Sequence, residues 1–311
     1  MVLQIKVLGA AAGGGFPQWN CRCENCRRAR AGDPRVKPRT QASLAVSADG
    51  QRWVLLNASP DLPAQLRATP ALQPGDGAAI RGAPIAAVIL SGGDIDCIAG
   101  LLSLREAHQF NIYAPPFVER ILRANEVFSV LDKKHVSFQA LTEGRAAKLQ
   151  DASGGPLGLN VETFAVPGKI PLYQEDGRDL PELLNAQAVV GLRVWDDEGR
   201  TLFFVPGCAH LTAEMVHRFE AADALFFDGT LWRDDEMIVA GVGTKTGARM
   251  GHVSLSGSEG SLAGFSGAKI KRKIYIHINN TNPILCDDSP EAKTVRANGW
   301  EIAWDGMEIT L

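Results

Sequence analysis

The amino-acid sequence predicts an α/β protein whose chemistry sits at turns closing buried strands, and three observations lead to that class. Residues 88–106, VILSGGDIDCIAGLLSLRE, run from a short apolar strand through a glycine turn into a leucine-bearing helical pattern. The second half repeats that sense: strand-like runs at 188–194 and 201–205, the turn Pro206-Gly207-Cys208-Ala209-His210, a helix over 212–221, then a strand at 224–227 ending in Asp228-Gly229-Thr230. Finally, 311 residues at 45% hydrophobic and 22% charged can bury a large core, and no Pro/Ser-rich linker, charge block or repeat divides them. Residues 1–311 are therefore read as a single domain.

The balance of charges narrows the function classes. A net charge of −3 gives no reason to expect a nucleic-acid or membrane partner. No apolar stretch approaches the roughly 20 residues needed to cross a bilayer. The opening MVLQIKVLGAAAGGG lacks a basic start and reads as a strand followed by a glycine loop, not a signal peptide. A cytoplasmic location is the expectation, which keeps the six cysteines reduced and favours metal or catalytic roles over disulfides.

In chain order, a strand over 3–8 enters the glycine loop, which has no Lys-Ser/Thr or GxGxxG continuation and so is not a phosphate cradle. Cys21, Cys23 and Cys26 follow, a C-x-C-x2-C knuckle that brings three thiolates to one side of a tight turn. That suits three corners of a tetrahedral zinc site. Strands at 42–46 and 53–57 flank Asp49-Gly50 as a hairpin, and Ser59-Pro60-Asp61 forms a strand-to-helix junction in which Asp61 is structural. At the central turn Asp94 and Asp96 alternate around Ile95, so on an extended backbone both carboxylates face one way, beside Cys97. The competing reading makes one of them the cap of a helix starting near Ile98.

Strands at 110–114 and 161–166 border a stretch of helix and loop, 115–149, with no nameable chemistry. His108, His135 and His217 lack carboxylate or cysteine neighbours at ligand spacing and read as surface or packing residues. Asp228 ends its strand at a glycine turn, on the carboxyl rim where open α/β sheets bind ligands. The loop 244–252, TKTGARMGH, carries Lys245, Arg249 and His252 among glycines. A last strand over 273–278 delivers His277 into Asn279-Asn280-Thr281-Asn282, which is hard to explain as core.

With those residues in place the chain resembles the metallo-β-lactamase fold, a four-layer αββα sandwich. The strings GAAAGGGFPQWNCRC, LLNASPD, GLLSLRE, FDGTLW, GVGTKTG, MGH and HINNTNP resemble the pyrroloquinoline quinone (PQQ) biosynthesis protein B family. The resemblance implies a role in PQQ biosynthesis: Fe(II)- and O2-dependent hydroxylation of the tyrosine-derived PQQ precursor. The alternative is a binding or transport protein for PQQ or its precursor. Either small molecule is the expected partner, with a homodimer as the one protein contact considered. The implied active-site metal is iron held by Asp96, position 97 and His277, with Asp94 as a further carboxylate and Asp228 orienting His277. His252 matches a general acid or base of related phosphodiesterases, and in a hydroxylase would take the phenolic proton. Cys21, Cys23 and Cys26 would hold a structural zinc completed by Asn280, three residues beyond His277, with Cys286, His252 and water as rivals. Lys245 and Arg249 would bind the substrate carboxylates.

The sequence also departs from the resemblance. Hydrolases of the fold present H-x-H-x-D-H where this chain has Gly92-x-Asp94-x-Asp96-Cys97. The chain reads AVPGKIPLY where a third histidine belongs, and Cys208 replaces a bridging aspartate. A two-metal hydrolase is thus not expected. Cys97 stands where a histidine is expected from the family, a softer and more oxidisable ligand.

Overall fold

The computed structural model describes residues 2–75, 80–175 and 189–311. Two seven-stranded sheets dominate it, and they follow one plan. The first contains β1 (Gln4–Gly9), β2 (Ser43–Ser47), β3 (Trp53–Leu56), β4 (Ile85–Ile89), β5 (Phe110–Ala114) and β6 (Val136–Ala140). The second contains β7 (Ala147–Gln150), β8 (Pro156–Ala165), β9 (Val190–Asp196), β10 (Thr201–Val205), β11 (Ala224–Asp228), β12 (Lys273–Ile276) and β13 (Trp300–Ile302). The terminal strand β14 (Glu308–Thr310) crosses back to pair with β1 and completes the first sheet. In each sheet three antiparallel pairings are followed by three parallel ones.

Period-two alternation builds the layers. Val54 and Leu56 of β3, with Leu202 and Phe204 of β10 and Phe226 of β11, turn into one core between the sheets. Their neighbours Trp53 and Leu55 face outward onto Leu62, Leu101, Val118 and Ile121 of the helical segments covering the first sheet. Phe203, Val205 and Phe227 face outward on the other side, against Met215, Phe219 and Val295 of the helices Ala213–Phe219 and Pro290–Ala297. The result is the four-layer αββα sandwich. Burying each such Leu or Phe contributes roughly 1.5–3 kcal/mol. Among the described residues no helix is long and apolar enough to cross a membrane.

Parallel strands in both sheets release their chains at one rim. Asn57 follows β3, Ser91 follows β4, Asp228 ends β11 and His277 follows β12. The rims are stitched together: Val190 N–H donates to Ser91 O at 2.9 Å, and Ile278 N–H donates to Ala10 O at 2.9 Å.

Several elements differ from their sequence expectation. The central helix starts at Ile95, runs to Ile98 and continues as a 3-10 segment Ala99–Leu104, so its onset is earlier than Ile98. Asp94 occupies the cap position on extended backbone, yet its carboxylate makes no capping bond, so the capping reading is replaced by one in which it faces the cavity. Strands β6 and β7 lie in the stretch read as helix and loop; both are edge strands with mostly half-exposed or exposed side chains, so they lack an apolar run. Ala188, expected to open β9, lies outside the described residues. Asp61 has the structural task assigned to it, accepting from Gln41 N–H at 2.9 Å and from Gln41 Nε2 at 3.0 Å.

Gly100 sets how closely the central turn approaches its neighbour. Its N–H donates to Ala58 O at 2.8 Å, Ala58 N–H donates to Cys97 O at 2.7 Å, and a Cβ on Gly100 would fall 2.2 Å from Ser59 O. Backbone cannot retreat as a side chain can. Gly100→Ala is expected to lose on the order of 1–3 kcal/mol in urea unfolding, and an unchanged midpoint would show that this approach is not constrained.

Candidate metal centre and substrate cavity

The joined rims enclose a cavity of about 680 Å³ lined by Asp94, Asp96, Cys97, Lys169, Lys245, His252 and His277, among others. Asp94 and Asp96 reach it from the turn after β4. His277 enters from the opposite sheet with a left-handed backbone, φ 59°. Only a tightly supported turn holds a non-glycine residue there. The neighbouring Ile278 supplies the support, pairing with Ala10 and Ala12 of the first sheet's opening loop. That places His277 Nε2 2.8 Å from Asp96 Oδ2.

Asp228 orients the imidazoles from below. It is fully buried and accepts from Cys208 N–H and His252 Nδ1, each at 2.8 Å, through one oxygen. Its other oxygen accepts from the Thr230 amide at 3.0 Å and the Thr230 hydroxyl at 2.6 Å. The same hydroxyl is 2.9 Å from His277 Nδ1, and with its proton given to Asp228 it can only accept there. Both rings therefore carry a proton on Nδ1, and each Nε2 is the position open to a second proton or a cation. They stack with centroids 5.2 Å apart. The expected Asp228 to His277 link is thus indirect: Asp228 grips His252, and Thr230 relays the contact to His277.

Asp228, His252 and His277 have ligand-type atoms within 4.8 Å of one another. The Thr230 hydroxyl stands where they meet, so the group is a hydrogen-bonded hub and not a cage. A lone pair on His277 Nε2 aimed at a carboxylate needs a cation between them or a proton on the ring. Burial opposes that proton, but the bond and charge of Asp96 outweigh it and raise the imidazole above its ordinary range. In return, burial of Asp96 is outweighed by His277 and His252, which hold its carboxyl below the usual range. Burial and the Asp96 charge push Asp94 up to about 6. Burial, Asp96 and Asp94 together push the Cys97 thiol well up, so it stays protonated at neutral pH without a metal. Two carboxylates, an imidazole and a thiol on one wall make a mixed oxygen, nitrogen and sulfur donor set of the kind that holds a divalent transition metal.

The facing wall is basic. Lys169 and Lys245 line the cavity, while Arg249 is directed at Glu175, 2.9 Å away, and is not among the lining residues. Glu175 also holds Lys169 at 2.7 Å and Lys245 at 3.5 Å, tying the rim loops together. Burial of Glu175 is overcome by Lys169 and Arg249, which take its carboxyl down to about 2. Tyr173 closes this side, donating to Gly93 O at 2.6 Å. Lys169, Thr230 and Tyr173 have weak signals in sequence; the best is that Lys169 lies in AVPGKIPLY, where the resemblance calls for a histidine.

The cysteine knuckle lies behind the same turn. The sulfurs of Cys21, Cys23 and Cys26 sit within 4.8 Å of one another, with the Asn280 amide 3.1, 3.5 and 3.5 Å from them. Cys286 is engaged elsewhere, donating to Asn25 Oδ1 at 3.2 Å, and His252 belongs to the hub. Burial raises Cys21, but bonds from Cys23, Cys26 and Asn280 bring it below its ordinary value, whereas burial takes Cys23 up to about 12. His108 contacts Ile85 O at 2.7 Å and His217 contacts Glu220 at 3.1 Å; neither, nor His135, joins a metal-type cluster among the described residues.

Thr230→Val keeps the volume but removes the donor to Asp228 and the acceptor for His277. It is expected to cost about 1–3 kcal/mol in chemical unfolding and to change the imidazole titration of His277 followed by NMR. Wild-type titration curves in the variant would show that the hydroxyl does not set the tautomers.

Comparison with known proteins supplies the context for this geometry. The beta-lactamase superfamily domain matches residues 52–278. Coenzyme PQQ synthesis protein B of Gluconacetobacter diazotrophicus is 50% identical over 309 residues, covering 99% of this chain and 100% of that protein. The protein of the same name from Methylobacterium sp. strain 4-46 is 50% identical over 311 residues, with 99% and 100% covered. The crystal structure of Zn(2+)-bound PqqB from Methylobacterium extorquens superposes with a TM-score of 0.92 at 46% identity, covering 99% of this chain and 100% of that one. A diphosphatase of the PhnP family, 19% identical with a TM-score of 0.66 over 100% and 98% of the two chains, shares the fold. This chain belongs to the coenzyme PQQ synthesis protein B family of the beta-lactamase superfamily.

Proposed function

We propose that this protein acts in PQQ biosynthesis as an Fe(II)-dependent hydroxylase of the tyrosine-derived precursor, with a structural zinc at the cysteine knuckle. The observation carrying the reading is the 2.8 Å contact between Asp96 and His277 Nε2, on a cavity whose other wall holds Lys169 and Lys245. Asp96 and His277 would hold the metal, with Asp94 and Cys97 beside them. Iron, when bound, supplies the redox chemistry that lets O2 react with an organic ring. Hydroxylation places one oxygen atom in a ring C–H bond and reduces the other to water, using two electrons from the substrate or an added reductant.

The chain's own groups do the rest. Lys169 and Lys245 pair with precursor carboxylates and fix which ring edge faces Asp96. His252, its Nδ1 proton committed to Asp228, takes the phenolic proton on Nε2, and the buried Asp228 stabilises the imidazolium so formed. Charge reversal of Lys245 is expected to weaken precursor binding in calorimetry. Arg249 acts through Glu175 and should affect affinity less than Lys245.

One feature favours the alternative of a PQQ or precursor binding protein, namely Cys97 in place of the expected histidine. A thiolate exposed to O2 oxidises towards sulfenic and sulfinic acid, whereas imidazole persists. Cys97→His is expected to bind Fe(II) one to one under anaerobic titration and, once O2 is admitted, to turn over precursor faster than wild type, whose activity fades as Cys97 oxidises. Equal iron uptake and turnover would move the ligand set to Asp94, Asp96 and His277. Stoichiometric precursor binding by both proteins with no oxygen consumed would establish the carrier.

For the knuckle, the proposed ligands are the three sulfurs and, after rotation of its amide, Asn280 Oδ1. A metal there would staple the glycine loop to the turn carrying His277. Binding must strip protons from the thiols, so zinc affinity should fall as pH falls. At free zinc a thousandfold above Kd the site would add about 4 kcal/mol of stability. Cys23→Ser is expected to lose that zinc in elemental analysis and to melt near the temperature of chelator-treated protein; full zinc retention would rule the knuckle out.

A further inference from the structure

One carboxylate stands among the cations of the basic wall, and it does not line the cavity itself. Glu175 is held on Oε1 by Lys169 Nζ at 2.7 Å, and on Oε2 by Arg249 Nη2 at 2.9 Å and Lys245 Nζ at 3.5 Å. Local structure brings the three cations together. Lys169 and Glu175 bracket a short loop containing the 3-10 turn Leu172–Gln174, while Lys245 and Arg249 come from the glycine-rich loop and its helix Gly247–Met250. Gly251 caps that helix with φ 84°, and a Cβ there would lie 3.1 Å from Lys169 Cγ, so the two loops approach closely at this point.

Three cations share one anion, and among the described residues none of them pairs with a second carboxylate. Burial opposes the charge of Glu175, yet the bonds from Lys169 and Arg249 hold its carboxyl at about 2, so it is an anion at neutral pH. The wall is left with two uncompensated positive charges. Each lysine also keeps donors, because an ammonium has three N–H groups. Lys169 spends one on Glu175 and one on Ile170 O at 3.4 Å, and Lys245, its side chain 40% exposed, spends one on Glu175. Attached to opposite oxygens of one carboxylate, the two ammonium groups stand side by side, within reach of two acids on one ring. The other wall carries Asp94 and Asp96, so the anionic end of a ligand is directed to the lysines.

Resting on the reading that Lys169 and Lys245 meet ligand carboxylates, we propose that Glu175 determines how much negative charge the cavity selects. It cancels one of three cations, so the wall prefers a ligand presenting two carboxylates over one presenting a single carboxylate and gains little from a third. Glu175 touches no ligand and acts through the lysines.

The test is calorimetric titration of the full chain, at one ionic strength, with benzoate, isophthalate and trimesate, which carry one, two and three carboxylates on the same ring. Wild type is expected to bind isophthalate at least tenfold more tightly than benzoate, and trimesate within about threefold of isophthalate. Glu175→Gln keeps the shape of the side chain and removes its charge. Losing one charge a few ångströms from a bound carboxylate shifts affinity on the order of tenfold in a partly buried site, so trimesate should tighten by that factor and benzoate by less. A mere prop would loosen the lysines on removal: equal or weaker trimesate binding by Glu175→Gln overturns the proposal, as does failure of all three probes to bind wild type at millimolar concentration. Should Glu175→Gln fail to fold, Arg249→Gln decides, since Arg249 lies off the cavity lining and its loss lowers the charge of the wall. An isophthalate advantage over benzoate cut at least threefold supports the proposal, and an unchanged advantage overturns it. Lys245→Ala separates this inference from the reading beneath it. Unchanged isophthalate affinity in Lys245→Ala overturns both, whereas affinity lost there with trimesate binding unchanged in Glu175→Gln overturns only the role of Glu175.

Discussion

A buried carboxylate at the end of β11 holds the functional half of this molecule together. Asp228 has no exposed surface and accepts four hydrogen bonds, two of them from Thr230 and one each from Cys208 and His252. Leaving any of those lone pairs empty in the interior would cost more than the bond itself is worth in water. The carboxylate therefore fixes three loops at once: the one after β10, its own, and the one bearing His252. Through the Thr230 hydroxyl the same constraint passes to His277 and decides which nitrogen faces Asp96.

The site belongs to neither sheet alone. Asp94, Asp96 and Cys97 come from the first sheet and His277 from the second, so their separation depends on how the two rims are joined. Backbone bonds from Ala12 and Ile278 to partners across the seam make that joint, and the cysteine knuckle lies against the residues just beyond His277. Rigid placement of this kind suits a centre in which two carboxylates, an imidazole and a thiol crowd one wall. Burial and the Asp96 charge raise Asp94 and Cys97, while the imidazoles of His277 and His252 lower Asp96, so positive charge is what relieves this wall. Lys169 contributes some of that from the opposite wall, and a metal ion would contribute more.

How much of this was legible beforehand follows from where each residue sits. Strands buried on both faces, such as β4, β10 and β11, announce themselves as apolar runs. The polar residues at their ends stand out against that background, which is why Asp94, Asp96, Asp228 and His277 could be singled out. Edge strands β6 and β7 carry polar, half-exposed side chains and leave no such contrast. Lys169 and Tyr173 come from an irregular loop without periodicity, so only their position across the cavity marks them. Arg249 illustrates the reverse case: a basic residue in a glycine-rich loop looks like a substrate contact, but the fold leaves it off the cavity lining and sets it against Glu175.

The sequence by itself determined the fold class, the strand ends at which the chemistry gathers, and the cysteine spacing, because alternation and local turn chemistry act over a few residues. Tertiary structure decided everything that joins distant segments. It set Thr230 as the relay between Asp228 and His277, gave Asp228 to His252, turned Arg249 away from the cavity and brought Lys245 with it to Glu175. These outcomes rest on hydrogen bonds and charge contacts between residues tens to hundreds of positions apart. Such contacts exist only after two sheets have packed their apolar faces and brought their rims within 3 Å, a distance that no local pattern encodes.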